Sequence, residues 1–234
     1  MRKVFRKDNE VHIFRLGTTT NKKICSDSKE KIIQTYVFSK SQYEYVASGG
    51  ASLKDFFAVA DSNCLDCPMR TYGKCYTHKF TQARGFLSML RSIAKDYNSF
   101  NDLPTYSESI KREILDISRG KYIRFGTYGE PVLHGIDMVT DIVDNAKTWT
   151  GYTHQWITNR DFNKYFMASV HTDRMEQKAR GQGWKSFITI KEKVSGYVNC
   201  PASKEGGFKT SCDKCGLCSG MKGKGKKSVF ILEH

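Results

Sequence analysis

No stretch of this chain approaches the roughly 20 consecutive apolar residues that a membrane-spanning helix needs. The N-terminus, MRKVFRKDNEVHIF, is basic but has no apolar core behind it, so no secretory leader is expected. These absences lead us to expect a soluble, intracellular protein of the cytoplasm, with no membrane partner. Acidic residues are also scarce, with 24 Asp plus Glu against 38 Lys plus Arg, a formal charge of +14. A charge of this size and sign attracts a polyanion, so nucleic acid, DNA before RNA, is the expected partner. The plainer reading is a basic protein with scattered lysines. Nothing in the composition fixes an oligomeric state.

With 234 residues, 39% of them hydrophobic, the chain has enough apolar side chain for one sizeable core but sits awkwardly for two. We expect a single α/β domain over residues 1–234, with a cysteine-rich loop at 60–80 and a metal-binding segment at 200–220. In the first sixty residues VHIFRL, IIQTYVF and YEYVA read as strands with no helix between them. Apolar residues then recur at helical spacing from Thr77 to about Asn98, and again from Ser107, a plausible N-cap, to Ile117. KYIRFGTY, WTGYTHQW, FMASV, WKSFITI, GYVNC and SVFIL read as further strands. Helices are expected at Gly135 to Ala146 and at Asp173 to Ala179, with a short one at Asp161 to Tyr165. Asp173 and Glu176 have capping-box spacing, and Gly181 lies just past that helix. Alternating strands and helices imply parallel pairing, hence an α/β barrel-like scaffold with its function at the carboxyl ends of the strands.

Seven of the eight cysteines fall into two groups, a clustering that favours metal or redox chemistry over bridges in a reducing compartment. Cys25 stands alone and reads as a small buried hydrophobe. Cys200 with Cys212, Cys215 and Cys218 presents a distant cysteine plus Cys-x2-Cys-x2-Cys. Each Cys-x2-Cys turn aims two sulfurs at one cation, and four thiolates suit Zn2+ or a [4Fe–4S] cluster. The earlier group, Cys64, Cys67, Cys75 and His78, fits a Cys3His zinc site. Alternatively its three cysteines hold an iron–sulfur cluster whose remaining iron faces substrate.

The expected mouth contains YIRFGTYGEP, with Tyr128, Gly129 and Glu130 at a strand end, where glycine lets a ligand approach and the carboxylate accepts hydrogen bonds or acts as a general base. In GYTHQW, His154 is flanked by Tyr152 and Trp156, whose rings suit base stacking while the imidazole moves a proton. His171 and Asp173 follow the FMASV strand, Asp173 with a second reading as a helix cap. An ordinary turn at Gly-Glu-Pro and a structural role for His154 are the bland alternatives. The Gly-Lys run MKGKGKK (Met221 to Lys227) reads either as a solvated linker or as a phosphate-contacting loop.

The order CP-x-R…GKCY, GTYGEP, GYTHQW, FMASVHTD and CPAS…CxxCGLC, over roughly residues 60 to 234, is similar to a phage- and plasmid-encoded cysteine-rich family of undefined function. In that family an Asp is common where Glu130 stands. The resemblance implies a phage or mobile-element source and a host-cell cytoplasmic location, and it carries no activity with it. More distantly, a Gly-Glu-Pro turn after a strand in a cysteine-bearing βα series resembles radical-SAM enzymes, in which such a turn contacts the methionyl amine. Their usual Cys-x3-Cys-x2-Cys loop is absent. Architecture and charge also resemble the zinc-bearing transglycosylases that place 7-deazaguanines into DNA.

The leading expectation is therefore a transferase that modifies or exchanges a DNA base, with Glu130 or Asp173 supplying the carboxylate and His154 the proton transfer. Tyr128, Gly129, Tyr152, Trp156 and His171 would contact a base that is flipped out or single-stranded. The alternatives are an iron–sulfur radical-SAM-like enzyme and a non-enzymatic, metal-stapled factor that binds nucleic acid or a host protein.

Overall fold

In the computed structural model, residues 1–70, 75–78, 80–191, 196–225 and 227–232 are described. Gly73 and Lys74 of the GKCY string, Lys226 of the Gly-Lys run, and Glu233 and His234 lie outside them. The chain opens with β1 (Arg2–Lys7), β2 (Glu10–Gly17) and β3 (Ile32–Ser39), then α1 (Lys40–Ala47), α2 (Leu53–Ala58), α3 (Phe80–Ala94) and α4 (Glu108–Ser118). Next come β4 (Tyr122–Tyr128), α5 (Ile136–Asn145), β5 (Thr148–Thr150), β6 (Tyr152–Thr153), β7 (Met167–Val170) and α6 (Asp173–Gly181). The series ends with β8 (Ser186–Ile190), β9 (Val198–Asn199), α7 (Cys212–Cys215) and β10 (Val229–Leu232).

The α/β expectation holds, but the barrel does not close. The described strands form two open five-stranded sheets, ordered β1-β2-β3-β4-β5 and β6-β7-β8-β10-β9. In the first, β1, β2 and β3 pair antiparallel, then β4 and β5 add in parallel; the second is parallel throughout. The antiparallel meander ends the first sheet in an edge, so no strand is left to complete a ring. One apolar cluster lies under α4, α5 and α6 and joins both sheets through Ile123, Phe125, Ala168, Val170, Ile188 and Phe230. A second, with Phe38, Phe56, Leu87, Leu90 and Tyr128, fills the space between α1, α2, α3 and the first sheet.

Several local expectations change. YEYVA is helical, because Ser39 caps α1 reciprocally with Gln42 and the spacing of Gln42, Tyr43 and Val46 buries one helical face. Arg2–Lys7, which carries four basic residues, is a strand, since β2 offers it a complete antiparallel partner. The amphipathic run from Thr77 divides into a short turn at Tyr76–His78 and α3. Asp161 to Tyr165 is a similar short turn, Arg160–Lys164, and GYVNC contributes only Val198–Asn199. Thr172, not Asp173, caps α6, its side chain accepting from the Met175 amide.

WTGYTHQW is two strands in two sheets. The chain leaves the first sheet after Thr150 and enters the second at Tyr152, so Gly151 is the crossing point. A Cβ on Gly151 would stand 2.6 Å from the Phe166 ring and 3.2 Å from Phe125 Cβ. Gly151→Ala is therefore expected to lower unfolding free energy by about 1–3 kcal/mol through overpacking. Gly181→Ala, with nothing within 4 Å, should leave stability equal or slightly higher. Urea denaturation of the two variants beside the parent checks both.

Candidate metal centre

The site begins with a distortion in β4. Its pairing with β3 runs Ile33 with Ile123 and Gln34 with Arg124, then jumps to Tyr36 with Tyr128. The extra residues bulge at Gly126, whose φ is +64° and whose amide donates to Thr35 Oγ1 at 3.0 Å. A bulge of this kind re-aims the residues after it. Gly129 follows at φ +74°, and a Cβ there would meet the Val37 carbonyl at 2.3 Å. Only glycine lets the turn press this closely against β3, which brings Glu130 over the strand end.

The cysteine loop is clamped to the same place. Buried Asn63 donates its side-chain amide to the Val37 carbonyl at 3.0 Å, while its own carbonyl accepts the Glu130 amide at 2.9 Å. Asp66 accepts a hydrogen bond from Gln155, two residues beyond β6. The loop after β3 and α2, the turn after β4 and the segment after β6 therefore meet at the carboxyl ends of parallel strands.

There a sulfur of Cys67, a carboxylate oxygen of Glu130 and a ring nitrogen of His154 lie within 4.8 Å of one another. His154 Nδ1 is 3.0 Å from Glu130 Oε1 and 3.4 Å from Cys67 Sγ. Glu130 is buried and also accepts from the Thr153 hydroxyl at 2.7 Å and the His154 amide at 3.2 Å. His171 adds its Nε2 at 3.3 Å from His154 Nε2, the two rings nearly parallel. Cys64 and Cys75 belong to the same neighbourhood. Burial, then the charges of Cys67, Cys75 and Glu130, push the Cys64 thiol up to about 12. Burial likewise raises Cys75, with Cys67 and Glu130 adding to the effect against hydrogen bonds from Thr77. Burial works against a charged His154, yet hydrogen bonds and charge from Cys67 and Glu130 hold it up to about 10. Burial thus keeps protons on Cys64 and Cys75 in the metal-free protein, and a bound cation would displace them.

The second group lies against one face of the parallel sheet. Cys200, Cys212 and Cys218 pack with Met167, Val229, Phe187 and Tyr152. Burial and the charges of the other three cysteines raise the Cys218 thiol far up, against a hydrogen bond from Tyr152. Burial, then Cys200, raises Cys212 to about 11, and Cys215 acts in the same direction. Buried Lys185 fastens the covering loops, donating to the carbonyls of Leu217, Lys224 and Gly225 at 3.1–3.2 Å. The Gly-Lys run is thereby fastened to the fold at Lys224 and Gly225. Arg124, on β4, lies within electrostatic range of Tyr76, Tyr152 and Cys212.

The structure thus brings Cys67, Glu130 and His154 together, with His171 against His154 and with Cys64 and Cys75 within electrostatic range. The His78 ring lies against Phe57 at 3.7 Å between centroids. Trp156 is only 1% exposed, built into the main core rather than presented at the mouth. Tyr128 is buried too, its hydroxyl accepting from Gln42 at 2.7 Å. Tyr152 lies half-buried against Phe187. Asp173 is the exposed first residue of α6 and lines a different groove, with Glu176, Arg180 and Tyr197. Two participants were missed from sequence, Asn63 and Asp66; their only signal was a position beside Cys64 and Cys67.

No described helix is long and apolar enough to cross a membrane. The His154 shift gives a pH signature for metal-free protein. Its pKa is raised on folding, so its contribution to stability is full below the unfolded value near 6.5 and disappears as pH rises through about 10. Glu130→Gln should flatten that fall, read from denaturation midpoints between pH 6 and 10. No known protein family, curated protein or solved structure matches the chain.

Proposed function

We propose that the chain is a metalloenzyme whose centre is an iron–sulfur cluster held by Cys64, Cys67 and Cys75, resembling radical-SAM enzymes in arrangement and acting on nucleic acid. One observation carries this reading. The three thiols stand between α2 and α3, in the connection that leads from β3 to its parallel neighbour β4, and Glu130 stands on the Gly-Glu-Pro turn that ends β4. The thiols sense one another's charge, yet among the described residues the three sulfurs do not together fall within 4.8 Å.

When bound, such a cluster supplies one-electron chemistry and leaves one iron free of protein ligands. The chain's own residues supply binding and proton control. Glu130, fixed by Thr153 and the His154 amide, is an acceptor poised for a substrate ammonium. His154 keeps a proton between Glu130 and Cys67, and His171 extends that line. Tyr152 is a partly exposed ring, and the charge of +14 suits a polyanion, DNA before RNA.

A second reading rests on the mixed donor set. Cys67, Glu130 and His154 within 4.8 Å suit one Zn2+ with an open position, which would fit base exchange on DNA. Anaerobic purification separates the two. The proposal predicts a brown protein absorbing near 400 nm that binds S-adenosylmethionine, with Cys67→Ala losing the cluster. Glu130→Gln should weaken that binding roughly 10- to 100-fold, the loss of one charged hydrogen bond. A colourless protein with stoichiometric zinc and no affinity for S-adenosylmethionine would establish the zinc reading instead.

A further inference from the structure

Cys25, solitary in the sequence, has partners in the fold. Its sulfur and carboxylate oxygens of Glu30 and Asp213 lie within 4.8 Å of one another. Cys25 is fully buried, Asp213 is 6% exposed and Glu30 is half-buried. Asp213 Oδ1 is sealed from solvent and has no hydrogen-bond partner among the described residues. A buried carboxylate oxygen without a donor is costly unless something cationic reaches it.

The backbone explains how these residues meet. The Cys212 amide donates to the Lys23 carbonyl at 2.9 Å and the Asp213 amide to the Ile24 carbonyl at 3.1 Å. The 21–30 loop is therefore zipped onto the start of α7. Cys212 packs among the cysteines of the C-terminal group, while its neighbour Asp213 reaches Cys25.

We propose that Cys25, Glu30 and Asp213 form a separate divalent-cation site, of zinc class, that staples the 21–30 loop to the C-terminal cysteine segment. One soft thiolate and two carboxylates suit zinc, whose tetrahedral edges of roughly 3.5 Å fit inside the 4.8 Å grouping. The Asp27 carbonyl, 3.3 Å from Cys25 Sγ, is the adjacent oxygen, and now accepts from the thiol. On binding, the thiol proton leaves to solvent and a sulfur–metal bond replaces it. Three negative ligands against a dication leave one negative charge, which Lys147, 3.4 Å from Glu30 Oε1, partly offsets. The cation would bind the buried Asp213 carboxylate and tie together chain segments almost 190 residues apart.

The test counts metals on the whole purified chain after dialysis against dilute zinc, in the parent, Cys25→Ser and Glu30→Gln. Glu30 is near the surface, so its variant should fold even if the serine variant does not. The expectation is about one zinc ion per chain fewer in each variant, with iron unchanged. Equal zinc in parent and Glu30→Gln, or a parent that retains none, overturns the proposal. Iron reports on the mouth cluster and the zinc difference on this site, so either can fail alone.

Discussion

Gathering three thiols beside a buried carboxylate at the end of β4 is the constraint around which this structure is arranged. Three thiols and a buried carboxylate share one poorly solvated corner, and burial together with mutual repulsion pushes the Cys64 proton affinity up to about 12. Such a corner persists only if the backbone forces it. Here Asn63 grips the end of β3 and receives the Glu130 amide, and Asp66 is tied to Gln155. These hydrogen bonds order the loop at the strand ends.

The scaffold serves that arrangement through close backbone approaches. Gly129 lets the Glu130 turn touch β3, and Gly151 lets the chain pass from one sheet to the other beneath Phe166. His154, three residues past the crossing, arrives opposite Glu130 because β6 is only two residues long. Had β5 and β6 formed one strand, the imidazole would have been carried along one sheet. The second cysteine group then covers one face of the parallel sheet, whose other face packs beneath helices.

Much of this was legible in the sequence where local chemistry decides. Ile110, Ile114 and Ile117 mark α4, Ser107 caps it as expected, and the parallel alternation after residue 120 follows the apolar pattern. Glu130 and His154 were legible as strand-end polar residues, and Cys67 by its spacing. The losses came where tertiary contacts override local pattern. YEYVA has strand composition, but the Ser39–Gln42 box and the helical burial of Tyr43 and Val46 decide for helix. Trp156 beside a histidine suggested stacking, yet the core between the sheets takes the ring. Asp173 has the right residue type after the right strand, but the Thr172 cap turns the chain into α6 and leaves its carboxylate in another groove. Pairings such as Cys25 with Asp213 depend on which distant loop lies alongside α7, and no spacing encodes that.

X-ray absorption at the metal edge of the purified protein tests the central claim most directly, by reading which atoms surround the ion. The account predicts a sulfur-dominated shell that loses part of its sulfur scattering when Cys64, Cys67 and Cys75 are replaced together, while the fold and the Cys200 group remain. A spectrum unchanged by that replacement, or a folded protein that binds no metal at all, would contradict it.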